Sequence, residues 1–202
     1  AKWIDFAKTI QDAGADAWKN SSASLKGIPE TVFTGYEGTE GQGKILAILT
    51  SDGEAAEAVD EGEEAVLILD STSFYAESGG QVGDIGKIVT NEATFAVSGT
   101  TKTEDGHYLH VGTVEEGTLR TGDTAQASIC KKTRMATMKN HTSAHILQAV
   151  LREVLGDHVH QAGQLVDDKR LRFDFSHFSP VSSDELKKIE KEVNDIILSA
   201  LK

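Results

Sequence analysis

The chain has 202 residues, which suits one large domain or two small ones, and its 39% hydrophobic and 26% charged residues are typical of a globular protein with a core. Its single cysteine, Cys130, excludes a disulfide scaffold and favours the cytoplasm, and no apolar run approaches the ~20 residues of a membrane-spanning helix. The net charge of −12 argues against a nucleic-acid partner, but the acidic excess lies in residues 1–130, whereas basic side chains slightly outnumber acidic ones in residues 131–202.

The first 130 residues predict a leader helix followed by a small barrel. Apolar residues at three- and four-residue steps predict a helix over residues 2–18, and a polar linker continues to residue 28. Seven short β-type runs follow, separated by turns rich in Gly, Asp and Glu. These runs are Thr31–Tyr36, Lys44–Thr50, Ala65–Leu69, Lys87–Val89, Thr94–Ser98, Tyr108–Val111 and Thr124–Ile129. Their number and spacing predict a small β-barrel over residues 29–130.

From residue 131 the hydrophobic period changes, and the pattern predicts an α+β domain over residues 131–202. An apolar stripe predicts a helix over residues 141–155 that ends at Gly156, and alternation predicts a strand over Leu171–Phe175. Ser182 and Glu185 have the spacing of a capping box, which begins a second helix. The expected buried faces of the two helices are Leu147, Val150, Leu151, Val154 and Leu155, and then Leu186, Ile189, Val193, Ile196 and Ile197. The predicted fold class is therefore mixed α and β.

Two histidines stand out on the first of these helices. His141 and His145 are four residues apart, so they project from one side of the helix, away from its apolar stripe. A pair at this spacing can offer two nitrogen ligands to Zn²⁺, although spacing alone leaves a structural role open. Thr142 stands where a zinc protease has Glu, which argues against peptide hydrolysis. A zinc site needs more ligands, and Cys130 is either one of them or a small core residue. We expect His158 and His177 to be structural or surface residues.

A second candidate is the Gly-rich stretch FYAESGGQVGD at residues 74–84. Its adjacent glycines permit a tight loop whose backbone N–H groups can face an anion or a carbonyl oxygen. No Lys-Ser or Lys-Thr pair follows, so the stretch is not a P-loop, and its glycine spacing does not match a dinucleotide-binding turn. Taken alone, it is either a binding loop or a corner of the barrel.

In combination, these motifs resemble the alanyl-tRNA synthetase family, in the stretch that joins the tRNA-recognition region to the editing domain. They are LDSTSFYAESGGQVGD at residues 69–84, NHTSAHIL at 140–147, HVHQAGQ at 158–164 and LRFDFSH at 171–177. The resemblance implies a translation-protein-like barrel followed by the N-terminal, truncated part of an α+β editing domain. Together with the absence of an initiator Met, it leads us to expect an internal fragment of a longer enzyme.

The resemblance also implies a function. The family joins alanine to its tRNA with ATP and Mg²⁺ in a catalytic domain that we expect upstream, and this region serves editing, the hydrolysis of Ser or Gly wrongly esterified to tRNA(Ala). A pocket sized for alanine cannot strongly exclude glycine or an analogue with an added hydroxyl, so a second site is required. The resemblance makes His141 and His145 two of four zinc ligands. The family's Cys-x3-His pair is missing here, so we expect this chain alone to bind zinc weakly or not at all.

Further site residues follow from the same resemblance. Gln161 matches a polar residue of the editing pocket, and the loop residues Glu77, Gly79, Gly80 and Gln81 border that pocket. Ala144 stands where the family often has Thr. The basic residues Lys131, Lys132, Arg134 and Lys139 either contact the acceptor end of tRNA(Ala) or form a solvated linker. Two alternatives stay open, namely a free-standing trans-editing aminoacyl-tRNA hydrolase and a catalytically idle RNA-binding module. The oligomeric state does not follow from the sequence.

Overall fold

The computed structural model describes residues 25–199, so the predicted leader helix over residues 2–18 lies outside the described residues. The described residues divide into two compact units. One comprises residues 25–78 together with Gly83–Lys131, and the other comprises Gly79–Val82 together with residues 132–199. The Gly-rich loop, placed with the barrel by the sequence analysis, therefore contributes four residues to the second unit. Within residues 25–199, no helix combines the length and the apolar character that a membrane crossing requires.

The first unit is an antiparallel β-barrel of six principal strands. In chain order, the strands of this unit are β1 (Val32–Phe33), β2 (Glu40–Thr50), β3 (Ala55–Ala56), β4 (Ala58–Asp60), β5 (Glu64–Leu69), β6 (Ser71–Thr72), β7 (Gly86–Val89), β8 (Ala93–Lys102), β9 (Tyr108–Arg120) and β10 (Thr124–Ile129). The barrel order is β10-β7-β8-β9-β5-β2, and β10 closes it by pairing with β2 as well as with β7. Closure removes the open edges that would otherwise leave backbone groups unpaired.

The barrel core follows from the alternation of its strands. Ile45, Leu67 and Phe95 point inward from β2, β5 and β8 and are fully buried. A smaller cluster that includes Leu25, Leu49 and Ile68 packs separately. Every principal strand contributes inward-facing aliphatic side chains, and together these side chains fill the interior of the barrel.

The predicted small barrel is confirmed, although several strand limits differ. The predicted limits Thr124–Ile129 are those of β10, whereas only Val32–Phe33 (β1) of the predicted run Thr31–Tyr36 is a strand. Strand β9 extends well past the predicted Val111 to Arg120, because its polar residues continue to pair with β8 and β4. The short strands β3, β4 and β6 were not predicted, since two or three residues carry no period that a sequence pattern can reveal.

The second unit combines two helices with a two-stranded antiparallel sheet. Its elements are α1 (Lys131–Leu155), of which Lys131 belongs to the first unit, then β11 (Gln161–Val166), β12 (Leu171–Phe175) and α2 (Ser183–Leu198). Val150, Leu151, Val159 and Ile189 form its buried centre, around which the remaining apolar residues of α1 and the phenylalanines of β12 pack. The predicted strand at Leu171–Phe175 and the predicted stripe on α1 are confirmed, and Gly156 follows the helix with a positive φ of 114°.

Helix α1 begins at Lys131, well before the predicted start at residue 141. The residues from Lys131 to Lys139 are mostly good helix formers, but they carry no apolar stripe that would mark them as helical. Lys131, Lys132, Arg134 and Lys139 therefore lie on the helix and not on a linker, and the three lysines are exposed to solvent.

Helix α2 has the predicted capping box. Glu185 N–H donates to Ser182 Oγ at 3.3 Å, and Ser182 N–H donates to Glu185 Oε2 at 2.8 Å. Hydrogen bonds from Ser182 hold the pKa of the Glu185 carboxyl below its ordinary value. The predicted buried face is too wide, however, because Leu186 and Ile197 are 55% and 46% exposed. Ile189 is the fully buried residue of this helix, with Val193 and Ile196 packed beside it.

Candidate functional site

The loop segment Gly79–Val82 pairs with β11 in the second unit. Val82 N–H donates to Val166 O at 3.0 Å, and Val166 N–H donates to Gly80 O at 2.7 Å. These bonds form a parallel bridge between Gln81 and Val166. The segment thus makes one isolated parallel bridge to the edge of the two-stranded sheet, which holds the backbone of Gln81 beside β11.

The two adjacent glycines of this segment have different surroundings. A Cβ atom on Gly80 would lie 2.3 Å from Gln164 O, whereas a Cβ atom on Gly79 would meet nothing within 4 Å. Both residues have positive φ, and Gly79 O accepts a hydrogen bond from Gln164 Nε2 at 2.6 Å. Gly80 is therefore required for the close approach to β11, and Gly79 is required only for its backbone conformation.

Helix α1 presents the two candidate ligands. The ring centroids of His141 and His145 lie 5.0 Å apart with an interplanar angle of 36°. His141 is half-buried and His145 is exposed. Their proximity follows directly from the four-residue spacing on a continuous helix.

Gln81 lies against the first of these histidines. Gln81 is 8% exposed, and its Oε1 atom lies 2.5 Å from His141 Nδ1. An amide oxygen only accepts hydrogen bonds, so Nδ1 carries the proton and donates it to Gln81. When the imidazole of His141 is neutral, its lone pair therefore lies on Nε2.

The arrangement of the histidine pair fits part of a zinc site. Two imidazole rings bound to one tetrahedral Zn²⁺ through nitrogen would have centroids about 5 Å apart, as these rings have. Among residues 25–199, no group of three or more His, Cys, Asp or Glu side chains is placed to hold a metal ion. The described residues thus offer two nitrogen ligands.

The other residues predicted for the site lie in different places. Gln161 is the exposed first residue of β11, opposite Phe175 and next to a register shift. No hydrogen bond in the described part of the chain joins its side chain to Gln81 or His141. Glu77 belongs to the first unit, where its N–H donates to Thr100 O at 2.8 Å and its side chain is exposed.

The first half of α1 carries an exposed surface of mixed character. Lys132, Met135 and Lys139 share one side of the helix, and Met138 lies beside them. Met135 and Met138 are 53% and 50% exposed, and both lysines are exposed. We call these four residues the α1 basic surface. Lys131 instead forms an exposed ion pair with Glu40 at 3.1 Å within the first unit.

Sequence reasoning missed the side chains that support the site. Gln164 holds the loop through Gly79 O, and Asn140 Nδ2 donates to Asp167 O at 2.8 Å directly after β11. His158 and His177, expected to be structural or surface residues, form a hydrogen bond of 2.8 Å between Nε2 and Nδ1. Asn140 and Gln164 lie inside the quoted motifs, but each one's partner is distant in the sequence, so no local pattern indicates their roles.

Ala144 is almost fully buried in the second unit. It lies on the side of α1 opposite the α1 basic surface, next to His145 in the sequence. A larger polar residue here would have to bury its hydroxyl group and find a partner for it.

Comparison with known proteins identifies what the chain is similar to. A family model described as tRNA synthetases class II (A) matches residues 7–133. An alanine–tRNA ligase of Acetivibrio thermocellus is 47% identical over 188 residues, which cover 93% of this chain and 21% of that protein. The alanine–tRNA ligases of Pseudomonas entomophila and Clostridioides difficile are 51% and 41% identical and cover 81% and 92% of this chain. The chain spans about a fifth of the length of the curated relatives it matches.

Proposed function

Because the chain belongs to the class II (A) family of tRNA synthetases, we propose that it is the part of an alanine–tRNA ligase that serves editing. The complete enzyme would attach alanine to tRNA(Ala) with ATP and Mg²⁺, outside the stretch that this chain covers. The region described here would hydrolyse the ester of Ser-tRNA(Ala) or Gly-tRNA(Ala), in the cytoplasm. The second unit would then be the N-terminal part of the α+β editing domain.

The observation that carries this proposal is the contact between Gln81 and His141. A buried amide oxygen from the Gly-rich loop meets an imidazole nitrogen from α1, with a second imidazole 5.0 Å away. Loop, helix and sheet edge therefore bring three polar side chains together in one unit. Such convergence is typical of a site that binds and orients a reacting group, and it supports a hydrolase over an idle module.

In the proposed mechanism, His141 and His145 would hold the zinc ion, and the family's Cys-x3-His pair would supply the remaining ligands. When bound, Zn²⁺ supplies a Lewis acid that positions the amino or hydroxyl group of the substrate or polarises an attacking water. Gln81 orients His141, and Gly80 allows Gln81 to reach it. Gln161 and Glu77 remain predicted members of the editing pocket.

The α1 basic surface is the proposed contact for the acceptor end of tRNA(Ala). Lys132 and Lys139 are exposed on one side of the helix, and neither forms an ion pair within residues 25–199 that an approaching phosphate group would displace. The exposed methionines between them supply adaptable apolar area beside the charges. This local basic character is compatible with the overall negative charge, because the acidic excess lies in residues 1–130.

The test is hydrolysis of purified Ser-tRNA(Ala) by the full-length enzyme and by this chain. We expect His141→Ala to abolish hydrolysis by the full-length enzyme while alanylation continues, and His160→Ala to leave both intact. His160 is a suitable control because it is an exposed histidine outside the pair. Unchanged hydrolysis in the His141→Ala enzyme would contradict the proposal. Binding of tRNA without hydrolysis in every form would favour an RNA-binding module, and full activity of this chain alone would favour a free-standing hydrolase.

A further inference from the structure

Gln81 is buried beside His141, one of the two proposed zinc ligands. We propose that Gln81 is a positioning residue that holds His141 in the Nδ1–H tautomer and thereby presents the Nε2 lone pair to the metal. The inference deepens the proposed function and rests on it for the metal, but the tautomer itself is a property of the metal-free chain.

The direction of the hydrogen bond follows from the chemistry of the two groups. Gln81 Oε1 has lone pairs and no proton, so the proton of this contact belongs to His141 Nδ1. Since Gln81 is buried, little water competes for its oxygen, and an Nδ1 lone pair facing it would leave two acceptors in repulsion. Neutral histidine in water favours the opposite tautomer, with the proton on Nε2. The contact therefore selects the form that free histidine populates less.

The backbone around Gln81 is fixed well enough to make this selection. Its neighbours Gly80 and Val82 are both hydrogen-bonded to Val166 on the edge of the sheet. Gly80 allows the two chains to approach, because any side chain there would collide with Gln164 O. The role of the Gly-Gly pair is thus to deliver the Gln81 side chain to α1.

His145 lacks this second contact. Within residues 25–199, its imidazole has a ring contact with His141 and no hydrogen bond to a loop side chain. The effect of Gln81 should therefore be confined to one histidine of the pair, and His145 serves as an internal reference in the same spectrum.

A zinc-binding histidine commonly donates its other N–H to an outer partner, and loss of that partner typically costs about 10–100-fold in metal affinity. Gln81→Leu removes the acceptor and keeps a similar volume. Gln81→Glu keeps an acceptor oxygen at the same distance along the side chain. Gln126→Leu changes an exposed glutamine of the barrel and is the matched control.

The experiment measures the imidazole ¹⁵N shifts and two-bond couplings of the metal-free chain, at a pH where histidine is neutral. We expect His141 as Nδ1–H in the parent chain, in Gln81→Glu and in Gln126→Leu, and as Nε2–H in Gln81→Leu, with His145 unchanged throughout. Backbone amide spectra establish that each variant is folded. A parent chain with His141 as Nε2–H, or a Gln81→Leu chain that keeps Nδ1–H, would overturn the proposal.

Zinc affinity of the full-length enzyme, measured by competition with a chelator, provides the second readout. We expect Gln81→Leu to bind zinc about 10–100-fold more weakly and Gln81→Glu to stay near the parent value. Equal zinc affinities in the parent and Gln81→Leu enzymes would refute the metal part of the inference. The editing proposal can fail on its own. In that case the His141 tautomer and the zinc affinity follow these expectations, but the enzyme does not hydrolyse Ser-tRNA(Ala).

Discussion

Thr72 Oγ1 lies 2.8 Å from His110 Nε2 inside the barrel, and both residues are almost completely buried. Leu67 O lies 2.9 Å from His110 Nδ1, so Nδ1 donates to the carbonyl and Nε2 accepts from the Thr72 hydroxyl. Thr72 Oγ1 in turn accepts from Phe74 N–H at 3.1 Å. Both imidazole nitrogens are satisfied in the neutral form, and burial lowers the pKa of His110 to about 4.

This pKa predicts a specific dependence of stability on pH. The unfolded chain binds a proton at His110 near pH 6.5, whereas the folded chain binds it only near pH 4. The contribution of neutral His110 to the free energy of unfolding is therefore fully present above pH 6.5 and is lost as the pH falls from 6.5 to 4. The loss amounts to about 3 kcal/mol. Urea unfolding across this interval measures it, and His110→Leu should be less stable but should lack this component. An identical pH slope in parent and variant would show that other groups are responsible.

The two glycines of the loop should respond differently to alanine. Both substitutions place a side chain at positive φ, which costs roughly 1–2 kcal/mol. Only Gly80→Ala should also separate the loop from β11, because its Cβ would collide with Gln164 O. We expect faster amide exchange at Val82 and Val166 in Gly80→Ala and parent-like exchange in Gly79→Ala. Equal protection in the two variants would contradict the steric argument.

The α1 basic surface predicts a salt-dependent contribution to tRNA binding. Replacement of Lys132 and Lys139 by alanine should weaken binding and lower the slope of log affinity against log salt by about 2, one for each phosphate contact. Lys187 and Lys188 on α2 form the matched control, because they are exposed lysines at the start of another helix. An affinity and a slope that both stay at parent values would remove this surface from the tRNA contact.

The parts of the fold that were predicted correctly depend on local patterns. Strand β12 alternates apolar and charged residues, and the capping box of α2 lies within four residues of sequence, so each carries its own evidence. The start of α1 was missed because its first turns have no apolar period. Leu186 was predicted to be buried but is exposed. A periodic pattern shows which side of a helix faces the core, but it does not show how far the core extends along that side.

The candidate site shows the same division. The proximity of His141 and His145 follows from helix geometry, so their four-residue spacing in the sequence was enough to predict it. The contact between Gln81 and His141 joins positions 60 residues apart, and it depends on a parallel bridge that no local pattern indicates. The resemblance placed both residues near one pocket, but only the structure shows which atoms meet.

The parallel bridge at Gln81 has a consequence for how this protein can be divided. The second unit includes residues 79–82, far upstream of the rest of its sequence, so it is not a contiguous segment. A cut at residue 131 would yield a polypeptide with both histidines but without the residue that orients one of them. Gene fusion or duplication that carried away only the later residues would therefore transfer the two histidines without Gln81.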